Sequence, residues 1–235
     1  MSRFVVSALA VIAAAGFATM SSASEPAAEA AQYQIVFTGM WTAKTHPLEY
    51  PKAGAFSGPH FSGLIGATHR PGYALFKQGT PPSAGLERLS EEGKHSPLDQ
   101  EIRAAIAAGA AGALFETRPL RDTSGSTETT VRVDAAHSRV SAVAMIAPSP
   151  DWFAGAADVE LRENGRWVDA REVILYAWDS GGDDGTTYEA PDLDASPKKP
   201  TALDDSPHFV QTGKRVPVAK LTFKNLSSAG MAEVR

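Results

Sequence analysis

An all-β fold, an antiparallel sandwich with one or two short helices in a long connection, is what this sequence predicts. Three observations carry the prediction. Several segments alternate apolar and polar residues with a period of two. Gly, Pro, Asn and Asp punctuate those segments at fairly regular spacing. Only two stretches carry helix start signals. The 235 residues, 43% hydrophobic and 21% charged, suit one domain with long loops. Enough aromatic and branched aliphatic side chains are present for a core that needs no disulfides on grounds of size.

The elements follow in order. Gln32 to Trp41 reads as the first strand, with Tyr33, Ile35 and Phe37 on one face. Residues 44–72 are rich in Gly, Pro and His, show no period and read as a long irregular connection; Tyr73 to Phe76 reads as a short strand. Ser83 to Glu92 reads as a helix opened by an N-cap serine. Ser96 and Pro97 stand at the N-cap and first position of a second helix that ends near Gly109 or Gly112. The Ala- and Gly-rich run at 107–112 is weakly helical or a loop. Strands follow at Glu128–Asp134, Arg139–Ile146, Ala157–Arg162, Arg166–Val168, Glu172–Trp178 and Val216–Lys224. Glu163-Asn164-Gly165 is a hairpin turn signal. Residues 189–214 are rich in Pro, Asp and Lys and are expected to wrap the surface.

The two ends differ from this body. Arg3, an apolar Phe4–Phe17 stretch and the small residues Ser21-Ser22-Ala23 have the pattern of a signal peptide cleaved after Ala23. The domain boundaries expected are 1–23 for that leader, 24–31 for a flexible lead-in, 32–226 for the sandwich and 227–235 for a tail. The expected localisation is secreted or periplasmic, and the Ala-rich leader suggests a bacterial exported protein. Loss of Arg3 leaves 21 basic against 27 acidic residues, a formal charge of −6. With no basic run, a nucleic-acid partner is disfavoured. The chain has no cysteine, so core packing or a metal must do what disulfides do in other exported proteins.

Chemistry is concentrated in two loops. Pro148-Ser149-Pro150-Asp151-Trp152 stops a strand with two prolines, so Asp151 stands on a stiff loop with Trp152 packed beneath it. Trp178-Asp179-Ser180-Gly181-Gly182-Asp183-Asp184-Gly185 is a tight turn carrying three carboxylates and three glycines. Six acidic residues and no basic one occupy 179–194. Two carboxylates ~4 Å apart repel by about 4 kcal/mol at an effective dielectric near 20, and a divalent cation removes that penalty. Hard oxygen donors without cysteine or nearby histidine favour calcium over zinc or copper. An EF-hand is excluded, because a loop begun at Asp179 places Gly181 third and Ala190 twelfth. On spacing alone, an acidic solvated loop in which Asp179 only caps a turn is the favoured explanation, because acidic Gly-rich loops are common and Asp151 is distant in sequence.

A family resemblance rests on further residues. They are Tyr33-Gln34-Ile35-Val36-Phe37-Thr38-Gly39-Met40-Trp41, His46-Pro47, Tyr50-Pro51, Phe56-Ser57 and His60, then Ala144 through Trp152 with Gly155, then Trp178 through Tyr188. In this order they resemble the spondin domain family over Tyr33–Leu226. The resemblance implies a C2-like sandwich of about eight strands that binds calcium at one end, with Asp151, Asp179 and Asp183 as ligands. Asp184 replaces a family serine and stands as a bystander or as an accessory carboxylate in the outer shell. Animal members are disulfide-linked matrix proteins, and this chain lacks those cysteines and any thrombospondin-type or reeler module.

The functional expectation is a calcium-binding binding or adhesion module with an extracellular protein or glycan ligand, not an enzyme. The alternative is a calcium-dependent hydrolase of a carbohydrate or other polymer. Asp151 and Glu189 are its only candidate carboxylate pair. No Gly-x-Ser-x-Gly elbow is present, and His46, His60, His69, His95, His137 and His208 show no ligand-pair spacing. Trp41, Trp152, Trp167 and Trp178 could stack on sugars, but core packing is the commoner use of such residues.

Overall fold

A computed structural model describes residues 29–52 and 58–227. The expected leader with its cleavage point, most of the lead-in, Phe56 and Ser57, and the tail from 228 lie outside the described residues. The described elements are β1 (Ala30–Gly39), β2 (His60–Phe61), β3 (Ile65–His69), α1 (Ala84–Glu92), α2 (Leu98–Ala107), β4 (Ala111–Glu116), β5 (Ser126–Asp134), β6 (Arg139–Ala147) and β7 (Trp152–Glu160). They continue with β8 (Arg162–Glu163), β9 (Arg166–Trp167), β10 (Ala170–Leu175), β11 (Ala177–Asp179), β12 (Ala202–Leu203), β13 (Val210–Gln211), β14 (Lys214–Arg215) and β15 (Ala219–Asn225).

The long strands form two facing antiparallel sheets, as the alternation predicts. One has the order β10-β15-β1-β5, and the other β12-β11-β7-β6-β3-β4 with β2 added beside β6. The period-two pattern of β1 buries Tyr33, Ile35 and Phe37, and that of β15 buries Ala219, Leu221 and Phe223. These side chains meet Ala142, Ala144 and Ile146 of β6 and Trp152 of β7 in the main core. Helices α1 and α2 cover the outer face of the second sheet, where Leu86, Leu89, Leu98 and Ile102 pack on Ile65, Val143 and Phe153. Covered on both faces, β6 is buried along eight of its nine residues. Such a strand loses polar alternation and reads as a continuous apolar run.

Several elements differ from expectation. The connection 44–72 contains β3, whose small residues Gly66 and Ala67 carry no period because the strand is buried throughout. Tyr73–Phe76 is not a strand; Phe76 packs instead against Phe153 and Trp178. The Ala/Gly run leads into β4, an edge strand, rather than prolonging α2. Ser83 does cap α1, accepting from the Leu86 amide at 3.1 Å. In α2 the cap position is Pro97, one residue later than expected, and no side chain caps it. The segment expected as one strand at Glu172–Trp178 is two: β10 pairs with β15 in the first sheet, and β11 pairs with β7 in the second. The chain thus crosses between sheets at Tyr176 and delivers Asp179 to the end of the second sheet. Short added strands raise the total above the eight expected.

Candidate metal centre

Strand register brings the two acidic loops together. In the pairing of β11 with β7, Asp179 stands opposite Trp152. Asp151, one residue before Trp152, is therefore a neighbour of the turn that follows Asp179. Ser149 stiffens the first loop: its hydroxyl accepts from the Trp152 amide at 3.1 Å. Trp152 is buried below, against Tyr188, His208 and Phe209.

The second loop wraps around the Asp151 carboxylate. Oδ2 accepts from the Ser180 hydroxyl at 2.9 Å, the Gly182 amide at 2.8 Å and the Asp183 amide at 3.2 Å. Oδ1 is buried and has no partner, in a residue with 0% exposure. Asp179 is half-buried, and its Oδ1 accepts from the Gly181 amide at 2.7 Å. Segment 193–201 clamps the turn from outside, through Ala195 N–H to Gly182 O, Lys199 N–H to Gly181 O and the Thr201 hydroxyl to Ser180 O.

Asp183 is used differently from the other two aspartates. Its Oδ1 accepts from the Gly185 amide and its Oδ2 from the Leu193 amide, both at 2.6 Å. This carboxylate holds the loop closed. Asp184 is exposed and pairs with Lys199 at 2.6 Å. Thus Asp151 and Asp179 meet, Asp183 adjoins them through its backbone amide, and Asp184 points to a surface lysine. Among the described residues no group of three or more His, Asp or Glu side chains forms a ready metal cage.

Electrostatics mark the same place. Burial raises the pKa of Asp151 against the pull of its hydrogen bonds. Burial, then the Asp151 charge, push Asp179 up to about 7. Lys199 partly offsets this, but its ammonium is bonded to Asp184. Lys198 is bonded to Glu87 at 2.8 Å, to Asp194 and to Gly182 O at 3.1 Å. Neither ammonium bonds Asp151 or Asp179. An orphaned buried carboxylate oxygen beside a second, crowded carboxylate is a donor set that fits a hard cation.

A pH dependence follows. Asp179 holds its proton more tightly in the folded state, near 7, than in the unfolded chain, near 4. Its contribution to metal-free stability is therefore most favourable at acid pH and declines as pH rises from about 4 through about 7. Melting temperatures measured in chelator between pH 5 and 8 should fall more steeply for the native chain than for Asp179→Asn. Equal slopes would contradict this environment for Asp179.

Sequence reasoning did not find Glu87 and Glu91. They lie one helical turn apart on α1 and approach Gly182 closely: a Cβ there would meet Glu91 Oε1 at 2.7 Å and Glu87 Cγ at 3.1 Å. A like-charge i,i+4 pair is unfavourable in a helix, and that was the available signal. The six histidines are dispersed. His46 packs on Phe209, His69 meets Ser141, His95 Glu116, His137 Asp134 and His208 Glu49, while His60 Nδ1 lies beside Gly58 O.

Fold and site together define an antiparallel β-sandwich with a carboxylate-lined loop cluster at one end. Comparison places this class more narrowly, since the Spondin_N family model matches residues 31–207. The chain belongs to that family. It is 32% identical to Spondin-2 of Rattus norvegicus over 213 residues, which span 86% of this chain and 64% of the relative. It is 31% identical to Spondin-2 of Homo sapiens over 234 residues, 92% of this chain and 70% of the relative. With Spondin-1 of Xenopus laevis it shares 31% over 215 residues, 85% of this chain but 26% of the relative. The chain thus spans between 26% and 70% of the length of these relatives.

Proposed function

We propose that this chain is an exported binding or adhesion module in which calcium, held by Asp151 and Asp179 while Asp183 keeps their loop closed through the Gly185 and Leu193 amides, orders the loops at one end of the sandwich. The observation that carries the reading is Asp151 Oδ1, fully buried without a partner beside the raised carboxyl of Asp179. Backbone carbonyls and waters would complete the shell that calcium takes from loops. Asp184, paired with Lys199, stays outside it as an accessory charge. Family membership supports a recognition role, with an extracellular protein or glycan as partner. Export rests on the leader pattern at 1–23. Among the described residues no helix is long and apolar enough to cross a membrane.

The hydrolase reading lacks an acid–base pair. Asp151 is enclosed by its own loop donors, whereas Glu189 is exposed on the rim of a cavity of about 580 Å³. Nothing in that geometry sets both carboxylates across one bond.

Calorimetric melting with calcium and with chelator tests the proposal. If Kd is on the order of 10 μM and free calcium about 1 mM, binding stabilises the fold by ~2.7 kcal/mol, roughly 5–10 °C in Tm. Superimposable melting curves would refute the calcium reading.

A further inference from the structure

The change of sheet at Tyr176 leaves a gap beside β7. Pairing with β11 covers only Trp152, Phe153 and Ala154, and the preceding strand β10 belongs to the other sheet. Beyond Ala154, β7 therefore has a strand partner only in β6. A cavity of about 620 Å³ lies along this open edge, lined by 155–159, by Val173 of β10 and by most of the 72–78 loop. Tyr73, Phe76 and Trp178 give it aromatic surface. Trp41 and Trp152 are buried in the core and Trp167 lies under the Arg162 guanidinium, so Trp178 is the tryptophan left to meet a ligand here.

One wall is held in an unusual shape. The register of β6 with β7 shifts between Val140 and Ala142, and opposite that shift Asp158 takes φ +60°, in the left-handed region. Its N–H donates to Ser141 Oγ at 3.1 Å, and Ser141 Oγ lies 2.8 Å from His69 Nε2. His69 Nδ1 is 2.9 Å from the Arg70 carbonyl, which can only accept. Nδ1 therefore carries the ring proton, and Nε2 accepts from the Ser141 hydroxyl. Ser141 and His69 are both fully buried, so this relay fixes the bulge from within. A strained residue held in place by buried partners, in the wall of a cavity, is the pattern of a built site.

The polar groups of the cavity define the ligand's charge. The Asp158 carboxylate is bonded to Arg139 at 2.6 Å, so its charge is matched. Lys77 is exposed, and its ammonium pairs with no described residue. Mostly apolar walls with one unmatched ammonium suit an apolar body that carries one acidic head. We infer that this cavity binds a small amphipathic acid, its apolar part against Tyr73, Phe76 and Trp178 and its anionic head at Lys77. The inference does not rest on the calcium reading, since the cavity includes none of Asp151, Asp179 and Asp183.

Isothermal calorimetry of the purified chain with octanoate is the test, and 1-octanol is the neutral counterpart. Octanoate should bind saturably, one molecule per chain. Ala157→Trp fills the cavity from the exposed bulge and Ala74→Phe fills it from the loop. Either variant that keeps the native Tm should lose the binding. Lys77→Gln alters an exposed side chain, so it keeps the fold and reads the head-group contact in any case. It should raise Kd for octanoate roughly two- to fivefold and leave Kd for 1-octanol unchanged. Absence of saturable octanoate binding overturns the inference. So does native binding in a folded Ala157→Trp or Ala74→Phe chain, because the acid then sits elsewhere. Equal effects of Lys77→Gln on octanoate and 1-octanol overturn the assignment of an acid. Binding of cellohexaose without octanoate, lost in Ala157→Trp, would make the cavity a sugar site and overturn it as well.

Discussion

Gly181→Ala is expected to destabilise the metal-free protein by about 3 kcal/mol or more, among the largest effects of a single methyl group in this chain. Gly181 has φ +86°, in the left-handed region where a side chain is strained. A Cβ there would lie 2.2 Å from the carbonyl oxygen of Lys199 and 2.7 Å from its carbonyl carbon. Both are backbone atoms and cannot swing aside. Relief requires the 198–201 segment to move, which breaks the Lys199 N–H bond to Gly181 O and loosens the Thr201 bond to Ser180 O. The Gly181 amide that holds Asp179 moves as well. Urea unfolding in chelator measures the loss. Gly213→Ala is the control: its φ is +76° but nothing lies within 4 Å of the new Cβ, so only backbone strain of about 1 kcal/mol is expected. Equal losses in the two variants would show that the clamp on the turn has no energetic weight.

Asp151→Ala is expected to cost ~3–5 kcal/mol in the absence of metal and to abolish any response to calcium. The reason is the number of donors it orphans. The Ser180 hydroxyl and the amides of Gly182 and Asp183 all point at Oδ2 in a buried site. Each donor left without a partner costs ~1–3 kcal/mol. Asp151→Asn separates the structural from the electrostatic role. Its amide oxygen can keep those donors satisfied while its amide nitrogen takes the partnerless place of Oδ1, so the metal-free loss is expected to be smaller than that of Asp151→Ala. Its lost charge removes the anchor for a cation, so calcium should no longer raise Tm. A calcium response preserved in Asp151→Asn would contradict the role given to Oδ1.

How much of this was legible in the sequence depended on exposure. β1 and β15 have one face on the core and the other towards solvent, and their alternation located them within two or three residues. β3 lies between β6 and β4 and is buried along its whole length, which erases the period. The split of Glu172–Trp178 was hidden for a related reason: the segment changes sheets without any glycine or proline to mark the crossing. In the site, the prolines before Asp151 and the glycines after Asp179 announced stiff, tight loops. Spacing could not show that β7–β11 register makes Asp151 and Asp179 neighbours, nor that Asp183 turns its oxygens to the Gly185 and Leu193 amides. Glu91 lay beyond the reach of motif reading, because its partner loop is some ninety residues away and only packing of α1 across Gly182 joins them.

On the proposed reading, the buried oxygen of Asp151 is aimed at a cation shared with Asp179. A crystal structure grown in calcium tests it most directly. The expected result is an ion roughly 2.3–2.6 Å from Asp151 Oδ1 and from an Asp179 oxygen, at the distances calcium takes from carboxylates. Finding the ammonium of Lys198 or Lys199 between those two side chains, or no ion there in saturating calcium, would contradict it.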